Sequence, residues 1–264
     1  MTSRISTVDL INRRSMRNAV EVYARFDTLG SAEVAALNSV AERVAGGSVL
    51  DIGVGGGRTV SALRELSTDY IGIDYVMEMV EACRVRFPGV RFEHADARAM
   101  PQFADASFDL VVFAWAGICM VDHPGRLAIL GEIYRLLKPG GAFIFSSYNQ
   151  NSSAYTSWFK FPEFQWSSAP GALIRSGTEF LRCLLARVIN RVRFLPKEVR
   201  TPNFGIINDL SHDYGTMLYY ISLENQLKQL RAAGFNAEIN VYDSLGNTAK
   251  SDCTDDWLMY VAIR

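Results

Sequence analysis

The chain has 264 residues, 49% of them hydrophobic and 21% charged, with a formal net charge of −1. These fractions describe a globular protein and exclude a disordered, collagen-like or coiled-coil chain, while the near-zero charge offers no global basic field to nucleic acid. The longest charge-free apolar run, Leu110–Val121, is too short to span a bilayer, which takes roughly 18–20 residues.

In chain order, Val8 to Val44 reads as helical, since Val34, Leu37, Val40, Ala41 and Val44 recur at helical spacing and Gly46-Gly47 stops the run. Arg4, Asp9, Arg13 and Arg14 interrupt the amino terminus, so no secretion signal is expected and the expected location is cytoplasmic. Strands and helices then alternate. Ser48–Ile52 is a strand, Arg58–Leu66 a helix, Tyr70–Asp74 a strand, and Met77–Phe87 a helix ended by Pro88-Gly89. Val90–Ala95 and Phe108–Trp115 are strands, the second continuously apolar as in a sheet buried on both faces. Gly125–Leu137 is a helix stopped by Lys138-Pro139-Gly140-Gly141, and Ala142–Ser147 is a fifth strand. Such alternation predicts right-handed crossovers and a doubly wound parallel sheet.

Residues 149–215 break the pattern and show no clear strand. An aromatic cluster (Tyr155, Trp158, Phe159, Phe161, Phe164, Trp166) precedes an apolar stripe running from Phe180 to Val192 at helical spacing. A helix over Leu223–Ala233 and strands over Phe235–Tyr242 and Trp257–Ile263 complete the sheet. The expected organisation is a helical segment over 1–47, a cofactor-binding core over 48–148, a helical lid over 149–215, and the last part of the sheet over 216–264. Cys83, Cys119, Cys183 and Cys253 include no C-x-x-C pair, so neither a disulfide framework nor a zinc knuckle is expected.

The strongest chemical signal is Val49-Leu50-Asp51-Ile52-Gly53-Val54-Gly55-Gly56-Gly57-Arg58. A strand entering glycines and then a helix lets backbone N–H groups approach a ligand. A dinucleotide fingerprint wants a small residue where Arg58 stands, and Asp51 would repel a pyrophosphate but favour an ammonium or sulfonium. Asp74 ends the second strand, where a carboxylate accepts both hydroxyls of a ribose. Asp96-Ala97 follow the third strand and offer a carboxylate and a backbone N–H to the edge of an adenine.

On these residues, together with Phe108-Asp109-Leu110-Val111 and Leu137-Lys138-Pro139-Gly140-Gly141, the chain resembles a class I S-adenosylmethionine-dependent methyltransferase over roughly residues 48–147. The resemblance implies an α/β, Rossmann-like seven-stranded sheet with helices on both faces, an antiparallel last strand, and a helical lid after strand 5. It also implies S-adenosyl-L-methionine as cofactor. Asp51 and Gly53 would lie near the methionine moiety with Gly55 in the loop, and Asp74 would bind the ribose. Tyr75 and Val76 would flank the adenine, and Asp96 with Ala97 would contact its edge. Phe113 to Trp115 would line the gap between sulfonium and acceptor, and Tyr23 would close over the cofactor.

Methyl transfer to an O, N or C nucleophile of a small molecule follows as the expected activity, with no metal ligands apparent after Val112. A general base is optional, because aligning the nucleophile with an activated carbon supplies roughly 7–11 kcal/mol. The candidate bases are His212, in the His212-Asp213-Tyr214 cluster, and His123 past the fourth strand; His94, inside a strand, reads as structural. Trp115, Trp158, Phe161 and Tyr214 are the candidate acceptor contacts. Between Gly171 and Arg200, seven basic residues face two acidic ones, a local balance of +5 (7 − 2). Either a lid helix packing its stripe on the domain or a helix on a membrane surface or anionic substrate accounts for that pattern. The alternatives are an acceptor on a lipid or cell-surface glycan, a non-catalytic S-adenosylmethionine-binding regulator, and a nicotinamide-dependent oxidoreductase, which Asp51 and Arg58 disfavour. No nucleic-acid partner and no transmembrane segment are expected, and the oligomeric state stays open.

Overall fold

The computed structural model describes residues 6–264, so residues 1–5 of the predicted amino-terminal segment, with Arg4, lie outside the described residues. The amino-terminal helices are α1 (Thr7–Arg17), α2 (Val20–Tyr23) and α3 (Ser31–Val44). The core follows as β1 (Val49–Ile52), α4 (Val60–Leu66), β2 (Tyr70–Asp74), α5 (Met77–Arg86), β3 (Arg91–His94), β4 (Phe108–Phe113), α6 (His123–Leu136) and β5 (Leu137–Asn149). The insertion holds a turn α7 (Ser153–Thr156), the long helix α8 (Pro170–Phe194), β6 (Val199–Arg200), β7 (Gly205–Asp209), a turn α9 (Ser211–Tyr214) and β8 (Thr216–Ile221). Last come α10 (Leu223–Ala232), β9 (Ile239–Tyr242) and β10 (Trp257–Ile263).

The strands run β3-β2-β1-β4-β5, all parallel, and continue through β10, antiparallel to β5, to β9. This is the expected seven-stranded core. Alternate residues of one strand feed opposite layers. Leu50 and Ile52 pack on the face bearing Ile129, Ile133 and Leu230, whereas Val49 joins Val40, Val44 and Leu63 on the other. Side-chain caps set several helix starts: Ser6 and Asp9 form a capping box on α1, Asp122 caps α6, and Ser222 caps α10. At Leu137 the chain passes from α6 into β5 without the expected intervening turn. The Pro139-Gly140-Gly141 sequence is taken up in the strand, where the β4–β5 register shifts between Phe108 and Leu110.

For the insertion one expectation is overturned and one of the two open accounts is decided against. First, residues 149–215 contain strands, because β7 pairs antiparallel with β8 and β6 pairs with β7. Tyr148 of β5 faces Trp257 of β10 on one edge and Tyr220 of β8 on the other, so β8 stands in line beyond the end of β4. The hairpin thereby extends the sheet to ten strands at its carboxyl edge, where ligands of open α/β sheets bind. Second, the apolar stripe of α8 does not pack on the domain. Leu181, Leu185, Ile189 and Val192 are 58%, 62%, 61% and 72% exposed. The face turned to the protein is held mainly by polar groups, with Phe194 buried at its end: Arg187 pairs with Asp213 (2.8 Å), Asn190 donates to the Asp213 carbonyl (2.9 Å), and Arg191 pairs with Glu198 (2.7 Å).

Candidate active site

The carboxyl ends of β1, β2 and β4 open onto a cleft of some 750 Å³, its mouth included, floored by the glycine loop. Gly53 has a φ of +65°, and a side chain on it would come within 2.7 Å of the Phe113 ring. Only glycine satisfies both conditions. At Gly56 a Cβ would stand 2.4 Å from the backbone of Tyr23 and Ala24. Its bareness lets the end of α2 dock on the loop, and Arg86 clamps the junction by donating to the carbonyls of Ala24 and Gly56. Tyr23 is thereby set over the cleft, which it lines together with Gly53, Gly55, Asp74, Tyr75, Phe113 and Trp115.

Asp74 is buried, accepting from the Gly55 N–H through Oδ2 (2.9 Å) and from the Val76 N–H through Oδ1 (2.8 Å). Burial is the larger influence and pushes its carboxyl from the ordinary 3.8 up to about 6, against the opposing backbone bonds. Asp51 lies deeper, beneath the loop, where its Oδ2 accepts from Thr59 Oγ1 (2.5 Å) and the Tyr70 hydroxyl (2.8 Å). Burial likewise raises it to about 6. The structure puts Asp51 under the cleft floor rather than in its wall, and Val76 also contributes its backbone and not its side chain to the arrangement. Asp96 and Ala97 line an adjoining cleft with Tyr75. Burial raises Asp96, but hydrogen bonds and charge from Arg98, with charge from Arg13, outweigh it and hold the carboxyl below its ordinary value. Arg98 also pairs with the fully buried Asp9 (2.6 Å), which ties α1 across the end of β3. Arg13 covers the Tyr75 ring at 4.7 Å.

Trp115 follows β4 in the left-handed region, with a φ of +48°. The Arg58 guanidinium lies 4.3 Å from its ring centroid, and the Tyr23 and Phe26 rings meet it edge-on. Arg58 is itself buried and joined to Glu33 at the start of α3 by two bonds of 2.6 and 2.5 Å. Tyr23, Glu33 and Trp115 also line a second cleft of about 560 Å³, mouth included, with Ser146, Tyr148 and Trp257. The two clefts therefore share the wall made by Tyr23 and Trp115.

His212 reaches this wall from the insertion, its Nε2 lying 3.3 Å from the Tyr23 hydroxyl. The turn α9 is left-handed, with φ of +53°, +53° and +59° at His212, Asp213 and Tyr214. Strain of that kind costs about 1–3 kcal/mol per residue and persists only where the surroundings over-determine it. Arg187 and Asn190 hold Asp213, while Asn208 donates to the Tyr214 carbonyl (2.7 Å). Burial lowers the His212 imidazolium below its ordinary value, although Asp213 and Asp209 oppose the shift.

The other proposed contacts are not gathered here. His123 stacks on Phe204 at 4.2 Å and bonds the Tyr219 hydroxyl (2.8 Å), outside either cleft. Tyr214 is buried with its hydroxyl on the Lys160 N–H. Its ring takes Phe159 from the aromatic cluster, leaving Trp158 and Phe161 outward at 72% and 67% exposure. Sequence reasoning missed the Glu33–Arg58 pair, the thioether walls of Met16, Met79 and Met120, and the Arg13–Asp96 pair. Glu33 stands three residues after Gly30 and does bond its N–H (2.8 Å), a capping spacing visible in the chain. Nothing in the spacing says that the same carboxylate also takes Arg58.

Residues 49–141 match the family described as "Methyltransferase domain". Over these residues the chain is similar to that methyltransferase domain, and the strand order and the glycine loop agree with it. Among curated relatives, the demethylmenaquinone methyltransferase of Renibacterium salmoninarum is 32% identical over 40% of this chain and 43% of its own length. The arsenite methyltransferase of Aquipseudomonas alcaligenes is 34% identical over 48% of this chain and 38% of its own. The chain thus spans less than half the length of the curated relatives it matches. The fold extends further. The 1,6-didemethyltoxoflavin-N1-methyltransferase of Burkholderia thailandensis, solved with 1,6-didemethyltoxoflavin and S-adenosylhomocysteine, is 13% identical. It superposes at a TM-score of 0.60 over 100% of this chain and 92% of that one.

The cleft is chemically suited to S-adenosylmethionine. Each Asp74 oxygen keeps a lone pair beyond the backbone bond it accepts, and the buried Tyr75 hydroxyl, on the cleft wall, has no hydrogen-bond partner among the described residues.

Proposed function

We propose that the chain transfers a methyl group from S-adenosylmethionine to an O, N or C nucleophile of a planar small molecule held in the second cleft. The observation that carries this reading is that the two clefts adjoin, both lined by Tyr23 and Trp115, since methyl transfer needs the donor carbon and the acceptor atom brought into direct, in-line contact where the two sites meet. Asp74 would take the ribose hydroxyls, Tyr75 would stack on the adenine, and the Ala97 N–H would read its edge, with Asp96 joining it by releasing one of the four bonds its oxygens accept from Arg98 and Arg13. The bound cofactor supplies an already activated methyl carbon. Tyr23, Trp115, Tyr148 and Trp257 favour a flat acceptor, with the Ser146 and tyrosine hydroxyls orienting its polar edge. All four thiols are free, which supports the cytoplasmic reading. Production of S-adenosylhomocysteine from S-adenosylmethionine across a panel of phenols, arylamines and heteroaromatics tests the assignment. No product from any member, with cofactor bound, would refute it.

Where the acceptor arrives protonated, His212 would receive the proton, directly or through the Tyr23 hydroxyl. Its lowered pKa keeps it neutral, and so basic, at pH 7. The transfer rate is then expected to rise with pH through a value below the ordinary histidine 6.5 and to stay flat above it. In His212→Gln this step should vanish along with roughly a hundredfold of rate at pH 7. A variant with unchanged rate and profile would remove His212 from the chemistry.

The raised Asp74 pKa makes a second pH prediction. Only the ionised carboxylate accepts from both ribose hydroxyls, so cofactor affinity should fall by up to about tenfold per unit as pH drops below about 6. Folding responds in the opposite sense. The native carboxyl holds its proton between about 4 and 6 where the unfolded one has lost it, so this contribution to stability is present below 4 and is lost as pH rises through 6. Calorimetric titration at pH 5, 6 and 7, beside thermal melts without cofactor, separates the two slopes.

A further inference from the structure

Helix α8 is inverted relative to an ordinary surface helix. Over 25 residues, about 37 Å at 1.5 Å per residue, its arginine and asparagine bonds face the protein, joined by the buried Phe194 and the half-buried Phe180 and Leu184, while a continuous apolar stripe faces out. Ile174, Leu181, Leu185, Val188 and Val192 follow one another at intervals of seven, four, three and four residues, which places them on a single stripe, with Ile189 beside it. All six are exposed, from 44% at Val188 to 72% at Val192. Packing on the domain does not explain them, because the inner face is already engaged through Arg187, Asn190 and Arg191.

The charge around the stripe indicates what covers it. Arg175, Arg182 and Arg193 are exposed on this helix, and its acid Glu179 is taken up by Arg182 at 2.5 Å. Two copies meeting through the stripe would bring arginines against arginines, a like-charge contact. An anionic bilayer meets both features, since acyl chains accept the stripe and lipid phosphates accept the flanking guanidinium groups. Trp166, 85% exposed, is linked to the helix through Phe164, which packs edge-on against Phe180. Tryptophan favours the headgroup level. Among the described residues no helix is long and apolar enough to cross a membrane.

We propose that α8 lies in the interface of an anionic membrane, with its Ile174–Val192 stripe among the acyl chains and its arginines on the headgroups. Docking there leaves both clefts free, because none of the six stripe residues lines them. It also sets the membrane behind the turn that carries His212, which α8 grips from its other face.

Flotation of the full chain with phosphatidylglycerol-containing vesicles, without cofactor or acceptor, tests docking independently of methyl transfer. Binding to these vesicles is expected, with little to vesicles of phosphatidylcholine alone. It should weaken with salt and drop about fivefold for each of Arg175→Gln and Arg193→Gln. Leu181→Glu combined with Leu185→Glu should lower it at least about tenfold while leaving the thermal melt unchanged, as both sites are exposed. No flotation on anionic vesicles, or equal flotation on neutral ones insensitive to the arginine variants, overturns the proposal. So does a dimer in sedimentation that the glutamate variant dissociates while the wild type fails to float.

Discussion

Asp74→Ala is expected to weaken S-adenosylmethionine binding by about a hundredfold or more while the protein stays folded. Two hydrogen bonds from ribose hydroxyls to a charged acceptor contribute roughly 1.5–3 kcal/mol each, and both are lost together. Stability responds differently because two effects oppose. The substitution frees the Gly55 and Val76 N–H groups, at about 1–3 kcal/mol for each that stays buried and unpaired. It also removes a carboxylate whose burial is unfavourable enough to lift its pKa to about 6. The melt should therefore shift modestly while the affinity collapses. Asp74→Asn separates the contributions further, since it keeps the shape of the side chain but puts a neutral amide where two backbone N–H groups and two hydroxyls seek acceptors. Cofactor affinity in the alanine variant within about threefold of the wild type would mean that the ribose does not sit on Asp74.

The part of this site that was legible in sequence is the part built from strand ends. A carboxylate that closes a buried strand and precedes a glycine or a turn has little choice of position, so Asp74, Asp96 and the Gly53 loop fall at one sheet edge once the strand alternation is read. The insertion was not legible for three separate reasons. Strand β7, Gly205-Ile-Ile-Asn-Asp209, contains turn-forming residues and is buried at every position, so neither composition nor alternation marks it as a strand. The left-handed turn after it uses His212, Asp213 and Tyr214, with no glycine to announce it, and depends on Arg187 and Asn190 from a distant helix. Periodicity revealed the α8 stripe but not its direction, because the spacing of apolar residues along a helix is the same whether the stripe meets the protein or turns away from it. Trp158 and Phe161 failed as contacts for a related reason. One aromatic of their cluster, Phe159, claims the Tyr214 ring, and its neighbours are turned outward.

Glu33→Ala should destabilise the protein by about 3–5 kcal/mol, the usual loss when one member of a buried ion pair is removed. Both side chains of the Glu33–Arg58 pair are less than a tenth exposed, and the glutamate also accepts from the Gly30 N–H at the start of α3. For a chain of this size the melting temperature should fall by roughly 10 °C. The reverse substitution, Arg58→Met, strands a buried carboxylate and should cost a comparable amount. Combining Arg58→Met with Glu33→Leu removes both charges with little change in volume, and most of the lost stability should return, since well-packed apolar residues often replace a buried pair without penalty. Function should not return with it. Arg58 is the cation over the Trp115 ring, and Trp115 holds a left-handed backbone conformation that needs support. With the guanidinium gone, the wall between the two clefts loses the contact that fixes it, so the refolded double variant should show an acceptor KM raised about tenfold or more. Methionine at position 58 leaves the Asp74 contacts untouched, and S-adenosylmethionine affinity should change much less. A double variant that recovers its melting temperature and also turns over acceptor normally would show that the pair serves stability alone. Trp115 would then have to be held by Tyr23 and Phe26, whose rings meet it edge-on at 5.8 and 4.8 Å.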